Sequence, residues 1–183
     1  TNAPFGLRPA FHPSGLDRAQ ALAGGIASAY SSDILKGQGV KLNSSGNIVI
    51  VAAGDSMQGA FAGVEWTDTT GRRRVSNYWP ASTSYQTGSC VAYFYNDPQI
   101  VYEIQADEAF PVADLLGNFD VIKTNAGSTK TGISGDEVDV STGATTATLP
   151  LKVIDISQDP NNQDVGSSNT NVYCTIQNHV FGV

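Results

Sequence analysis

The sequence predicts a mainly β protein, a single barrel or sandwich-like domain with an extended N-terminal arm and one short helix. Only 15% of the 183 residues are charged, against about 25% in typical globular proteins, which disfavours helical bundles and coiled coils. The 19 glycines and many Ser, Thr, Asn and Gln residues fall between short apolar stretches. These stretches recur about every 8–12 residues, a spacing typical of β-sandwiches and barrels.

Residues 1–25 are predicted to form the arm, and residues 26–183 the β-rich domain. Three prolines near the start restrict the chain to extended backbone, and apolar side chains between them need a surface to bury. Two interpretations remain open, because this surface belongs either to the arm's own domain or to a neighbouring subunit. The prolines are Pro4, Pro9 and Pro13, and the apolar residues are Phe5, Leu7 and Phe11.

Two hairpins and one helix are predicted inside the domain. The first hairpin joins 40–42 to 48–51 through a loop of Asn, Ser and Gly, and the second joins 90–95 to 99–105 through Asn96-Asp97-Pro98. A helix of one to two turns starts near Pro111, a residue that the first turn tolerates, and ends at Gly117. Further strands are predicted at 26–30, 61–66, 75–79, 119–123, 149–156 and 172–181, whereas 124–147 is predicted to form loops with at most one weak edge hairpin.

Charge is divided unevenly along the chain, whose formal net charge is −7. Residues 1–92 carry seven basic and five acidic groups, whereas residues 93–183 carry three basic and twelve acidic groups. An acidic protein is a poor candidate for direct nucleic-acid binding, because phosphates attract an excess of Lys and Arg. No apolar run is long enough to span a membrane. Two interpretations remain open: the acidic loops keep the domain soluble, or the asymmetry orients the domain on a partner.

Catalytic and metal-binding signatures are missing from the sequence, so we expect no enzyme activity, no cofactor and no metal. The two histidines, His12 and His179, have no Gly-x-Ser-x-Gly nucleophile motif to accompany them. The acidic stretch 135–139 lacks the EF-hand ligand pattern and is expected to be a solvated loop. Cys90 and Cys174 are expected to be small buried thiols, with a disulfide left open in case their strands are adjacent.

Arg72, Arg73 and Arg74 form the only run of like charge in the chain. Contact with nucleic acid beside Tyr78 and Trp79 is disfavoured by the acidic composition. Two interpretations remain open: a solvated turn, or a contact with carboxylates of a neighbouring chain, which the guanidinium fork pairs with well.

The opening Asn2-Ala3-Pro4-Phe5-Gly6-Leu7-Arg8-Pro9 resembles the start of capsid cement, or head-decoration, proteins of tailed bacteriophages. Looser likeness continues at 30–42, 59–64, 102–105, 127–132 and 144–151. The resemblance implies a structural virion protein on the capsid surface that has no active site. It implies binding to the major capsid protein, bridging of neighbouring subunits, and assembly as a homotrimer or homodimer. The expected interface residues are Phe5, Leu7, Arg8, Pro9, Phe11, Arg72, Arg73 and Arg74.

Two other functions remain open from the sequence. The first is a ligand- or glycan-binding β-module, in which exposed aromatic rings would stack on sugars. The second is another virion part, such as a tail or head–tail joining protein. The aromatic candidates for stacking are Trp66, Tyr78, Trp79, Tyr93 and Tyr95.

Overall fold

The structure is a computed structural model that describes residues 2–14, 21–162 and 166–182. Within these ranges the chain forms twelve strands and two short 3-10 turns, Val112–Asp114 and Pro160–Asn162. The strands are β1 (Arg8–Phe11), β2 (Ala21–Gly24), β3 (Gly39–Leu42), β4 (Ile48–Ile50), β5 (Gly59–Thr67), β6 (Arg73–Ser76), β7 (Val91–Tyr95), β8 (Val101–Gln105), β9 (Asn118–Ile122), β10 (Glu137–Ala144), β11 (Leu151–Ile156) and β12 (Asn171–Ile176).

The strands form two antiparallel sheets, which confirms the predicted mainly β, sandwich-like domain. Sheet I has the order β1-β8-β12-β11-β9-β10, and sheet II has the order β2-β7-β5-β3-β4, with β6 also paired to β5. The predicted short helix is a single 3-10 turn, because the backbone turns left-handed at Leu116, where φ is +68°. Within the described residues, no helix is long and apolar enough to cross a membrane.

The predicted hairpin between 90–95 and 99–105 is wrong. The turn itself forms, because the Gln99 N–H donates to Asp97 Oδ1 at 2.8 Å. However, β7 pairs with β2 and β5 in sheet II, whereas β8 pairs with β1 and β12 in sheet I. The turn therefore carries the chain from one layer of the sandwich to the other.

One other local prediction fails and a second holds only in part, whereas the hairpin of β3 and β4 is confirmed. Residues 26–30 form a turn rather than a strand, with Ala29 at a φ of +58°. The region 124–147, predicted to be loops with at most a weak edge hairpin, contains the eight-residue strand β10, which pairs with β9 at the edge of sheet I. Its Ser, Thr and Gly residues hide the strand from a propensity argument.

The hydrophobic core has two parts, one on each face of sheet II. Consecutive residues of a strand point to opposite faces, and Ala60 of β5 packs with Tyr102 and Phe119 of sheet I. Its neighbour Phe61 packs in the second part, which the loop residue Trp79 covers. Side chains on both faces of sheet II are therefore buried.

The cysteines are both free thiols, so the disulfide alternative is wrong. Cys174 lies on β12 of sheet I, whereas Cys90 immediately precedes β7 of sheet II. Burial raises the pKa of both thiols, as expected when the charged form loses its solvent.

The uneven charge of the sequence becomes a difference between the two layers. Strands β2 to β6, from the first half of the chain, and β7, which spans the boundary between the halves, build sheet II, whereas β8 to β12 of the acidic second half join β1 in sheet I. A difference in charge between two layers produces a field across the domain that can orient it on a charged partner.

Candidate functional site

The N-terminal segment, residues 2–14, packs against its own domain. Leu7 is 1% exposed, and its N–H donates to the Gly37 carbonyl at 2.7 Å. Gly6 has a φ of +70°, and a Cβ at this position would lie 2.6 Å from the same carbonyl oxygen. Only glycine combines this backbone conformation with so close an approach. The first interpretation, packing on its own domain, therefore holds for Leu7.

Polar contacts fasten the rest of the segment. The Ala3 N–H donates to Gln105 Oε1 at 2.9 Å, and β1 pairs with β8 from Arg8 onwards. The two strands within residues 1–25, β1 and β2, belong to different sheets. Residues 1 and 15–20 of the expected arm lie outside the described residues.

Four of the predicted interface residues in the segment are not buried and define what we call the N-terminal surface: Phe5, Arg8, Pro9 and Phe11. The Arg8 guanidinium lies 4.5 Å from the centre of the Phe5 ring, a cation–π contact. Phe11 is 49% exposed and meets the Tyr173 ring edge-on, with centroids 5.9 Å apart. Leu7, also a predicted interface residue, is instead buried in the core and anchors the segment there.

Arg8 also neutralises a buried acid. Its guanidinium forms an ion pair with Glu103, which is buried and accepts a second hydrogen bond from the Ser157 hydroxyl at 2.8 Å. A buried carboxylate without a cation is strongly destabilising. This pair therefore fixes the position of Arg8 on β1.

A pocket of about 430 Å³ opens beside the N-terminal surface. Ligand pockets typically have volumes of about 300–1,000 Å³. Sequence reasoning missed Lys36 and Ile133, because the fold brings them to the segment from distant loops. The signal that could have found them is Gly37, whose positive φ allows the loop to approach Leu7. The lining residues are Phe5, Leu7, Arg8, Pro9, Lys36, Gly37, Phe61, Tyr95 and Ile133.

The arginine run lies elsewhere, with Arg73 and Arg74 on the exposed strand β6 of sheet II and Arg72 immediately before it. Arg73 forms an ion pair with Glu65, and Arg74 Nε donates to Asp68 Oδ2 at 3.0 Å. A hydrogen bond from the Thr70 hydroxyl, followed by one from a backbone N–H, holds the pKa of the Asp68 carboxyl well below its usual range. Two of the three arginines therefore pair with carboxylates of their own chain. None of the three lines the pocket described above.

Two of the five aromatic residues proposed for sugar stacking are buried in the core, whereas Tyr78, Tyr93 and Tyr95 are partly exposed. Trp66 and Trp79 are buried, and their rings meet edge to face at 5.3 Å. The Tyr93 hydroxyl donates to Glu65 Oε1 at 3.1 Å. Both tryptophan faces are thus unavailable to a ligand.

His12 lies between Ser14 and Asp97. Its Nδ1 is 2.8 Å from the Ser14 hydroxyl and accepts the Ser14 N–H at 3.2 Å, so its Nε2 carries the proton that faces Asp97 Oδ2 at 3.2 Å. These residue types also form hydrolytic triads. However, Ser14 is exposed, and nucleophilic catalysis relies on oriented dipoles in a site that excludes water. We therefore interpret these hydrogen bonds as contacts that hold the N-terminal segment against the turn at Asp97.

The expectation of a solvated acidic loop at 135–139 is wrong, because Asp136 and Glu137 are buried. Asp136 Oδ2 accepts the Gly39 N–H at 3.1 Å, and Glu137 Oε2 accepts the Asn125 amide at 2.8 Å. Burial raises the pKa of both carboxyls. Asp136 and Glu137 therefore hydrogen-bond to residues of other loops and strands instead of facing solvent.

His179 makes stability sensitive to mild acid. Its buried ring donates from Nε2 to the Gln58 carbonyl at 2.8 Å and accepts the Phe181 N–H on Nδ1 at 3.1 Å. Burial lowers the pKa of His179 below its ordinary value of 6.5, although the Gln58 carbonyl and Asp97 oppose the shift. The unfolded chain therefore binds more protons near and below this value, so this contribution to stability is complete above it and is lost as pH falls.

We expect His179 to lower the urea midpoint between pH 7 and pH 5, whereas the raised pKa values of Asp136 and Glu137 act in the opposite direction. His179→Gln removes only the first contribution, because glutamine can donate to the Gln58 carbonyl without titrating. The midpoint of the variant relative to the unmodified protein should therefore be higher at pH 5 than at pH 7, and an equal difference at both pH values would count against this role of His179.

Comparisons of the chain with protein-family models, with curated proteins and with solved structures find no match.

Proposed function

We propose that the protein is a structural component of a tailed-phage particle, which binds the major capsid protein and stabilises the shell by bridging neighbouring subunits. The resemblance of residues 2–9 to capsid cement proteins suggests this function. The observation that carries it is the N-terminal surface, where Arg8 and Phe11 are accessible on β1 and Phe5 contacts Arg8 just before this strand. We propose no catalytic step.

The physical properties of this surface suit an interface. Aromatic and arginine side chains contribute much of the binding energy in protein interfaces. Their positions on β1 are fixed by pairing with β8 and by the Arg8–Glu103 ion pair, so binding does not have to order a loose segment first. Modest affinity per copy suffices, because contacts from one oligomer to several subunits act together through effective concentration.

The charge difference between the sheets supports a defined orientation on the shell. Sheet I contains the strands of the acidic half of the chain, and sheet II those of the first half. A charged shell surface would favour one of the two layers at encounter. A homotrimer or homodimer on the capsid surface remains our proposal for the assembly.

Phe11→Ser tests the N-terminal surface directly. We expect at least about tenfold weaker binding to purified capsids stripped of this protein, which corresponds to about 1.4 kcal/mol. Phe11 is accessible and lies outside the core clusters, so the variant should stay folded. Co-sedimentation with capsids over a range of protein concentrations gives the affinity.

The matched control is Leu116→Ser, because Leu116 is also exposed and apolar but follows the 3-10 turn before β9. It should bind capsids like the unmodified protein. If Phe11→Ser binds as tightly as the control, the N-terminal surface is not the contact. Deleting residues 1–14 is a poorer test, since it also removes the buried Leu7.

A further inference from the structure

The pocket beside the N-terminal surface combines an apolar wall with positive charge. Phe5, Phe61, Tyr95 and Ile133 supply apolar or aromatic lining, and Arg8 and Lys36 are its charged residues. None of the described residues that line the pocket is acidic, although the chain has a net charge of −7. The pocket therefore carries positive charge, although the protein as a whole is negatively charged.

Lys36 supplies the uncompensated charge. Glu103 neutralises Arg8, whereas Lys36 is exposed and forms no ion pair with any described residue. The Arg8 side chain is still 58% exposed, so it keeps donors for a second acceptor. Charge-assisted hydrogen bonds to carboxylates are among the stronger polar contacts. The rim of the pocket thus favours an anionic group.

The backbone around Lys36 is held in place. Its N–H donates to the Gly132 carbonyl at 2.8 Å, and its carbonyl accepts the Ser134 N–H at 2.9 Å. These bonds make Lys36 and Ile133 partners in a parallel β-bridge. The apolar wall and the cation therefore keep a fixed relation to each other.

We propose that the pocket binds an extended segment of the partner protein that carries a large apolar or aromatic side chain next to a carboxylate. The apolar side chain enters the pocket between Phe5, Tyr95 and Ile133, and the carboxylate pairs with Lys36 and the free edge of Arg8. A peptide segment suits the position, since the pocket opens beside β1, an edge strand of sheet I, and edge strands accept extended chains. This inference rests on the proposed function, because it names the partner chemistry at the same surface.

Binding to short peptides tests the chemistry without capsids. NMR titration of the protein with acetyl-Asp-Phe-Asp-amide should shift the amide signals of Lys36, Ile133 and Tyr95. Acetyl-Asn-Phe-Asn-amide and acetyl-Asp-Ala-Asp-amide should each bind at least fivefold more weakly. Equal affinity for the three peptides would overturn the proposal, as would tighter binding of phenylacetate, which would assign the pocket to a small carboxylate.

Two variants connect the pocket to the capsid. Lys36→Gln removes the charge and Ile133→Ser removes apolar wall, and each should weaken capsid binding about five- to twentyfold; Lys36→Gln should also flatten its dependence on salt. The matched controls are Lys130→Gln and Val180→Ser, because both residues are exposed and lie outside the pocket. Circular dichroism establishes that each variant is folded.

The possible failures are distinguishable. If capsids bind the unmodified protein and both pocket variants equally, the pocket is not the contact and the inference fails, while the proposed function stands. If capsids do not bind the unmodified protein but the acidic aromatic peptide is still preferred, the proposed function fails and the chemistry of the pocket stands.

Discussion

Gly59→Ala is expected to abolish the native fold. Gly59 opens β5, where it pairs with Val40 of β3, and a Cβ on it would lie 1.4 Å from the Tyr95 carbonyl oxygen. Tyr95 cannot move away freely, because it pairs with Ala60 and with Ala21 on either side of β7. We expect a loss of more than about 4 kcal/mol, in the range of exceptional single substitutions and comparable with the about 5–15 kcal/mol of a whole domain.

Far-UV circular dichroism and the dispersion of the amide NMR spectrum measure this loss. Gly25→Ala is the matched control, because its new methyl group would meet only Asn47 Oδ1, at 3.7 Å. That variant should remain folded, with a change within about 1 kcal/mol. A folded Gly59→Ala protein with an unchanged urea midpoint would show that Gly59 of β5 does not approach Tyr95 of β7 as closely as described.

Leu7→Ala is expected to cost about 2–5 kcal/mol of unfolding free energy, the usual range for a buried leucine. Leu7 packs in the core cluster that joins the two sheets, and its N–H is bonded to Gly37. Losing this anchor should also speed hydrogen exchange of the β1 amides, since β1 depends on Leu7 to stay docked against β8.

Urea unfolding at two protein concentrations gives the decisive comparison. If the segment packs on its own domain, the loss should not depend on concentration, and Leu42→Ala, which alters a partly exposed leucine, should cost less than about 1 kcal/mol. A loss that appears only at high protein concentration would place Leu7 on a neighbouring subunit instead.

The strands were predictable from sequence where one local signal sufficed. The loop 43–47 separates two apolar runs, so turn chemistry alone gives the hairpin of β3 and β4. The turn at Asp97 is equally clear, but a turn does not determine which strands pair beyond it. The partners of β7 and β8 are distant in sequence, so only the packing of the two sheets decides between them.

The candidate site was only partly predictable for a similar reason. Proline spacing and apolar residues indicated that the start of the chain needs a surface, but the choice between its own domain and another depends on Gly37, which is 30 residues away from Leu7 in sequence. Lys36 and Ile133 reach the pocket through the same loop contacts. Asp136 and Glu137 looked solvated because charged residues usually are, whereas their neighbours Gly39 and Asn125 bury them.

The central claim is that the protein coats the capsid by binding the major capsid protein. Quantitative mass spectrometry of the purified phage particles that we propose contain this chain tests it most directly. We predict a copy number comparable with that of the major capsid protein, and cryo-microscopy of the same particles should show density over contacts between neighbouring capsid subunits. Absence from the particles, or a few copies confined to the tail or the head–tail junction, would contradict the claim.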